Sequence, residues 1–128
     1  MKIRTMLIGA VAPLMALTGL VATGGAAQAA CGSGNLCAWE AANKTGAMAS
    51  FGGDNANWKD FPKSTGGTWN DVASSVQNNG TSGMGVYLYQ HSSYTGDWLC
   101  LPKGYSYLNL ANQNFNDRIS SNKWSWNC

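Results

Sequence analysis

Ionisable side chains are scarce in this sequence, and their scarcity excludes several classes of function. The 128 residues contain eight lysines and arginines, six aspartates and glutamates, and a single histidine. So few cations cannot form the basic face that follows a nucleic-acid backbone. The lone histidine also argues against a zinc site built from histidine and cysteine. We therefore expect neither a nucleic-acid partner nor a cysteine-ligated metal.

Catalytic patterns are missing as well. His91 lies beside Ser92 and Ser93, and Asp97 is close in sequence, but a catalytic triad is defined by geometry and not by proximity along the chain. The acidic residues form no pair that differs from ordinary surface charge, and the glycines follow no phosphate-binding pattern. We interpret His91 as a turn residue between two strands, and we expect no enzymatic activity.

The long apolar run of the chain lies near its start and is typical of a secretory signal peptide. Lys2 and Arg4 precede the uncharged residues 6–21, and small residues at Ala27-Gln28-Ala29 offer a cleavage site. Glycine and proline interrupt the run, which argues against a membrane anchor. Lipid attachment at Cys31 is the other alternative, and Gln28 argues against it. Residues 1–29 are therefore a predicted signal peptide, and residues 30–128 a secreted, extracellular domain.

Without that segment the chain has no net charge. Lys2 and Arg4 account for the formal charge of +2, and the remaining six basic and six acidic residues cancel. All six tryptophans, five tyrosines and three phenylalanines follow the signal, among many asparagines, glycines and serines. This composition indicates one compact, turn-rich β domain. We expect it to be a monomer without membrane contact after the signal is removed.

Four cysteines follow the signal, and an even count in an exported chain indicates disulfides. Four cysteines allow three pairings. We favour Cys31–Cys37, which closes a short loop, together with Cys100–Cys128, which ties the end of the chain to a strand. The sequence does not prove this pairing.

A six-residue motif occurs twice. Asn-Asp-Val-Ala-Ser-Ser at 70–75 returns as Asn-Asp-Arg-Ile-Ser-Ser at 116–121, and each copy follows an aromatic residue. The carboxylates and hydroxyls at fixed spacing are hard oxygen ligands, which calcium prefers. The same residues could instead satisfy backbone donors in Asx- and Ser-type turns. We favour calcium because two copies occur in register.

A second repetition shows how the domain is built. Residues 36–40 align with residues 86–90, and Gly46 aligns with Gly96. The first repeat is thus about 35–77, the second about 86–128, and a polar, glycine-rich linker covers 78–85. Short β-forming runs and glycine corners predict four strands in each repeat, with one helical turn each in 54–61 and 105–114. We predict an all-β fold in which two Greek-key motifs pack as a single β-sandwich.

The tryptophans divide into two predicted groups. Trp39, Trp69 and Trp98 lie in strands or beside the hexapeptides and are expected in the core. Trp58, Trp124 and Trp126 are expected to be freer, and exposed tryptophans could bind a sugar or a protein.

The aromatic residues and glycines in front of the hexapeptides carry a family resemblance. Tyr89, Tyr94 and Gly96, followed by Asn-Asp-x-x-Ser-Ser, resemble the microbial βγ-crystallin motif. The first copy has Trp39 and Gly46 but places Lys44 at the second aromatic position, and we expect a weaker corner there. The resemblance covers nearly all of residues 31–128 and implies a βγ-crystallin-like sandwich.

The resemblance also implies how calcium is bound. The two copies exchange ligands, so that two calcium sites form between both motifs. The implied ligands are the side chains of Asp71, Ser74, Asp117 and Ser120 and the backbone carbonyls of Val72, Arg118, Glu40 and Gln90. Asn70 and Asn116 hold the loops. Because the Arg118 side chain could pair with a neighbouring carboxylate, we expect unequal sites of weak to moderate affinity.

The whole arrangement is similar to a set of exported bacterial proteins grouped with the Streptomyces metalloproteinase inhibitor. Cysteines six positions apart before the first strand and a tryptophan-rich end after the second hexapeptide are shared with that set. The resemblance implies inhibition of a secreted metalloproteinase. An inhibitory loop is not evident, since the exposed 78–85 and 65–67 segments are glycine-rich and not expected to be rigid. The alternatives are an antimicrobial or cell-wall-binding module and a calcium-stabilised structural protein.

Overall fold

The computed structural model describes residues 30–128, so the predicted signal peptide at 1–29 lies outside the described residues. The described part is an all-β sandwich of two antiparallel sheets, which confirms the predicted fold class. Two single turns of 3-10 helix occur among these residues, at Trp58–Asp60 and Leu110–Gln113. No helix within 30–128 is long and apolar enough to cross a membrane. The seven strands are β1 (Asn35–Ala41), β2 (Thr45–Phe51), β3 (Ser75–Asn79), β4 (Gly85–His91), β5 (Thr95–Leu101), β6 (Ser106–Tyr107) and β7 (Ser121–Ser125).

The two repeats exchange strands between the sheets. The strand order is β2-β1-β3-β6 in one sheet and β5-β4-β7 in the other. Strand β6 belongs to the second repeat but pairs with β3 of the first, with Val76 opposite Tyr107. The reciprocal strand of the first repeat is reduced to an isolated bridge between Asn55 and Asn122. The second sheet therefore has three strands, where the repeat pattern predicts four.

Each repeat begins with a hairpin whose corner is bent in the same way. The strand pairing skips Glu40 in the first hairpin and Gln90 in the second. Gly96 follows the second corner with a φ of 82°, and a Cβ there would lie 2.6 Å from the Cδ2 atom of His91. A side chain at this position would therefore both strain the backbone and clash with the histidine, which explains the glycine.

The corner of the first repeat keeps this shape despite its lysine. Lys44 has a φ of 59° and Tyr94 a φ of 60°. The backbone N–H of Lys44 donates to the Ser75 hydroxyl at 3.0 Å, and that of Tyr94 donates to the Ser121 hydroxyl at 3.2 Å. The Lys44 ammonium lies 5.9 Å from the ring centroid of Trp39, within the range of a cation–π contact. This contact takes the place of an edge-to-face pair between Tyr89 and Tyr94, whose centroids are 5.8 Å apart.

One apolar core lies between the sheets. Phe51 stacks on Trp58 with ring centroids 4.5 Å apart and an interplanar angle of 11°. Both repeats contribute to this core, so neither can bury its apolar face without the other. The fully buried aliphatic side chains are Leu36, Val76, Val86, Leu88, Leu101, Leu110 and Ile119.

Two of the tryptophan predictions are wrong. Trp58, expected to be free, is 0% exposed, and Trp98, expected in the core, is 59% exposed. Trp98 stands opposite Tyr89 on the outer face of the three-stranded sheet, whereas Leu88 of the same hairpin is buried. The predictions for Trp39 and Trp69 are correct, since these side chains are 1% and 2% exposed.

Both disulfides have the pairing that the sequence favours, Cys31–Cys37 and Cys100–Cys128. They lie at the end of the sandwich where β1 and β4 begin, which we name the disulfide end. Strands β3 and β7 begin at the opposite end, each at the last residue of a hexapeptide. We name that opposite end the hexapeptide end. The fold thus separates its two cross-linked loops from its candidate metal ligands.

Candidate metal-binding site

The two hexapeptides lie against each other at the hexapeptide end. The backbone N–H of Asp71 donates to the carbonyl of Ile119 at 2.9 Å, and that of Asp117 donates to the carbonyl of Ala73 at 3.0 Å. These bonds are equivalent under the repeat, because each joins the second residue of one copy to the fourth of the other. The two loops are therefore fixed reciprocally.

This pairing brings each carboxylate to the hydroxyl of the other copy. Ser120 Oγ donates to Asp71 Oδ1 at 2.9 Å, and Ser74 Oγ donates to Asp117 Oδ1 at 3.3 Å. Both aspartates have a positive φ, 58° for Asp71 and 55° for Asp117, a conformation that aspartate tolerates better than most residues. The structure therefore contains two mixed pairs, which we name the Asp71–Ser120 site and the Asp117–Ser74 site.

Backbone hydrogen bonds tie each hexapeptide serine to the corner of its own repeat. Ser74 donates its N–H to the carbonyl of Trp39, and Ser120 donates to that of Tyr89, both at 2.9 Å. The residues that follow these acceptors are Glu40 and Gln90, which the strand pairing skips. Their carbonyls thus belong to the same corners as the serine hydroxyls.

In the described part of the chain, the two carbonyls inside the hexapeptides that the resemblance implies as ligands accept no hydrogen bond from turns or side chains. Within residues 30–128, the carbonyls of Val72 and Arg118 accept no turn or side-chain hydrogen bond. Asn70 supports its neighbour, since its Nδ2 donates to Asp71 Oδ2 at 3.2 Å. Asn116 is half-buried at the start of the second copy. Unpaired carbonyl oxygens beside a carboxylate are available to a hard cation.

The donor set fits calcium and does not fit a soft transition metal. Within 30–128 no three histidine, cysteine, aspartate or glutamate side chains cluster as metal ligands would. Each site pairs one carboxylate with one hydroxyl, and the carbonyls that the family resemblance implies as ligands are also oxygen donors. Such all-oxygen sets suit calcium, and a low count of charged ligands corresponds to weak or moderate affinity.

The surroundings of the two sites differ at a residue that the sequence analysis missed. Lys59 lines the cavity of about 410 Å³ that also contains Asp71 and Ser120. Its backbone N–H donates to the side chain of Asn57 at 3.1 Å, and in the second repeat Ala111 donates to the side chain of Asn109 at the same distance. The Asp71–Ser120 site thus has a lysine where the other site has an alanine. Alignment of the two Asn-x-Lys and Asn-x-Ala turns would have revealed this difference.

Arg118 forms an ion pair outside both sites. Its guanidinium lies 2.9 Å from the Asp97 carboxylate and 4.9 Å from the Phe115 ring centroid. The sequence predicts a carboxylate partner for Arg118, and this partner is Asp97 and neither hexapeptide aspartate. Its charge is therefore partly balanced before any cation binds.

The Glu40 side chain holds an exposed turn in place. Its carboxylate lies 2.9 Å from the Lys63 ammonium and accepts from the Thr65 hydroxyl at 3.2 Å. The hydrogen bond from Lys63 lowers the pKa of Glu40 below its ordinary value. Lys63 also donates its backbone N–H to the carbonyl of Gly67 at 2.9 Å. The 63–67 turn is therefore better fixed than its glycine content led us to expect.

Comparisons with known proteins agree on the fold and add a family. The model of peptidase inhibitor family I36 matches residues 24–101. A structure described as "Evolution of the eye lens beta-gamma-crystallin domain fold" is 20% identical with a TM-score of 0.65, covering 77% of this chain and 93% of that one. A βγ-crystallin from Ciona intestinalis is 17% identical with a TM-score of 0.58, covering 72% of this chain and all of that one, 100%.

A bacterial structure has the same fold. A βγ-crystallin domain from Clostridium beijerinckii is 22% identical with a TM-score of 0.54, covering 72% of this chain and 98% of that one. Identities this low establish the fold alone. No curated protein matches the chain.

Proposed function

The chain belongs to peptidase inhibitor family I36, and on that premise we propose that it is a secreted, calcium-binding, non-enzymatic inhibitor of a metalloproteinase. The observation that carries the inhibitor proposal is the family match over residues 24–101.

Calcium is proposed on the chemistry of the paired hexapeptides. Asp71 and Ser120 would hold one ion, and Asp117 and Ser74 the other, together with the neighbouring backbone carbonyls. A bound ion would neutralise both aspartates and join the two repeats at one end of the sandwich. A ligand that binds only the folded state stabilises it, by about 2.7 kcal/mol at a hundred times its dissociation constant.

Secretion is supported by the disulfides. Cys31–Cys37 and Cys100–Cys128 use all four cysteines of the chain. Disulfides of this kind form in oxidising, extracellular compartments and are rare in the cytosol. A chain of this composition with an apolar, positively charged start is accordingly proposed to be exported.

Inhibition requires a surface that keeps its shape, and the exposed 78–85 loop at the disulfide end is better ordered than its glycines suggest. Asn78 is 0% exposed, its Oδ1 accepts from the Gly80 N–H at 2.9 Å, and its Nδ2 donates to the Met84 carbonyl at 3.1 Å. One buried side chain therefore fixes both ends of the loop. Loop ordering before binding lowers the entropy cost of association.

Inhibition assays test the proposal directly. We expect the wild-type protein to inhibit thermolysin, a metalloproteinase, at micromolar concentration, and to inhibit subtilisin less. The measurement is the rate of hydrolysis of a chromogenic peptide at increasing inhibitor concentration. If micromolar protein inhibits neither thermolysin nor subtilisin, the inhibitor proposal is contradicted.

A cell-wall-binding or antimicrobial module is the second candidate, and one surface favours it. On the outer face of the three-stranded sheet, the Tyr87 ring lies 5.2 Å from that of Trp98 and 6.0 Å from that of Tyr89. Binding to insoluble cell-wall polysaccharide, lost on Trp98→Ala, would support this reading if peptidase inhibition fails. A protein that binds calcium but neither polysaccharide nor peptidase would be a structural component.

A further inference from the structure

A turn at the disulfide end presents a large side chain to solvent. The N–H of Tyr105 donates to the carbonyl of Pro102 at 3.0 Å, which closes a four-residue turn over residues 102–105. Gly104 has a φ of 80°, the conformation that the third position of such a turn requires and that glycine adopts without strain. The side chain of Tyr105 is 58% exposed. The backbone of the turn is thus closed while its aromatic ring remains free.

The buried residue Asn78 holds the turn on the sandwich. Its backbone N–H donates to the carbonyl of Tyr105 at 2.9 Å, and its carbonyl accepts from the N–H of Gly104 at 3.1 Å. The Asn78 side chain also donates to the carbonyl of Leu101 at 3.2 Å, at the end of β5. The same residue fixes the 78–85 loop, so loop and turn share one anchor.

The residues after the turn are fixed as well. The Tyr107 hydroxyl donates to the carbonyl of Cys100 at 2.8 Å. Cys100 is bonded to Cys128, so this contact rests on the disulfide that closes the end of the chain. Tyr105 is therefore held from both sides, by Asn78 before it and by Tyr107 after it.

Strand β6 continues the turn as the last strand of its sheet. The order β2-β1-β3-β6 leaves β6 with a partner on one side only among the described strands. The carbonyl of Tyr105 accepts from Asn78 next to β6, so the alternation of an antiparallel pair directs the N–H and C=O of Ser106 away from β3. An edge strand of this kind can pair with an extended cleft of another protein, which is how many proteins recognise peptide backbone.

We propose that the 102–107 segment is the peptidase-contacting element, with Tyr105 as the side chain that fills an apolar substrate pocket and β6 as the strand that pairs with the cleft. The proposal rests on the proposed inhibitor function and adds the contact surface. Tyrosine is enriched among the residues that dominate binding energy in interfaces, and it loses little conformational freedom on binding. Because the backbone on either side of Tyr105 is already fixed, the remaining entropy cost is that of the ring.

The experiment compares single variants as inhibitors of thermolysin and subtilisin. We expect Tyr105→Ala to raise the inhibition constant about 30-fold or more, since hot-spot truncations have effects of that size. Tyr105→Phe keeps the ring and is expected to stay within about threefold of wild type. Trp98→Ala is the matched control, because Trp98 is 59% exposed, as Tyr105 is 58% exposed, but lies on the other sheet.

The outcomes separate this proposal from the inhibitor function on which it rests. If wild type inhibits and Tyr105→Ala inhibits equally well, the contact surface is wrong and the function stands. If wild type inhibits neither peptidase, the function is wrong and this proposal falls with it. Amide exchange gives a second readout, since the complex should protect the N–H group of Ser106, which faces the free edge of β6. Absence of that protection in an inhibited complex would also overturn the proposal.

Discussion

Trp58→Ala is expected to destabilise the domain by about 3–5 kcal/mol, as truncation of a buried tryptophan does in other cores. Trp58 is 0% exposed and stacks on Phe51 at 4.5 Å. Its Nε1 donates to Asn122 Oδ1 at 2.8 Å, and Asn122 is also 0% exposed. The substitution therefore leaves a cavity and an unpaired buried oxygen together. The free energy of unfolding of a small domain is about 5–15 kcal/mol, so the substitution would remove a large part of it.

Urea unfolding followed by far-ultraviolet circular dichroism measures this loss. Trp126→Ala is the control, because Trp126 is 71% exposed and its truncation is expected to change the unfolding free energy by less than about 0.5 kcal/mol. Equal destabilisation by the two substitutions would contradict the burial of Trp58. An unchanged urea midpoint for Trp58→Ala would also contradict the burial of Trp58.

Trp58 also shows what the sequence cannot reveal. Its burial depends on Asn122, and its N–H donates to the carbonyl of Ser120 at 2.9 Å, both in the second repeat. Local patterns carry no information about partners more than sixty positions away. The prediction for Trp98 is wrong for a local reason. Residues that favour β structure predict a short strand but do not indicate which of its faces is outward.

Features that depend on local geometry were predictable. The corners need a glycine at Gly46 and Gly96, and the hexapeptides need aspartate at a positive φ, so these requirements are visible as repeated residues. The strand exchange is not visible in this way, because β6 is two residues long and has no pattern of its own. The exposed turn in front of it, with Tyr105, was missed for the same reason.

Calcium is expected to raise the melting temperature of the wild-type domain and to have no such effect on the Asp71→Asn/Asp117→Asn double variant. Asparagine keeps the size, the Oδ1 acceptor for the serine hydroxyl and the tolerance of a positive φ. It removes the charge and, at position 71, the Oδ2 acceptor of one exposed hydrogen bond from Asn70. Without calcium the two proteins should therefore unfold at similar temperatures. With calcium in hundredfold excess over the dissociation constant, wild type should gain about 2.7 kcal/mol for each occupied site. Calorimetric titration and thermal unfolding of calcium-free protein measure both quantities.

The single variants test whether the sites are unequal and why. Lys59 lines the cavity with Asp71, whereas Ala111 occupies the equivalent turn of the other repeat. A nearby cation opposes calcium, so the Asp117–Ser74 site should bind more tightly, and Asp117→Asn should remove more stabilisation than Asp71→Asn. Lys59→Ala should then raise the affinity of the weaker site and leave the stronger one unchanged. If Arg118 were the cause instead, Lys59→Ala would have no effect, because Arg118 remains paired with Asp97 in that variant. Identical calcium heats for wild type and the double variant would show that the hexapeptides only cap the strands.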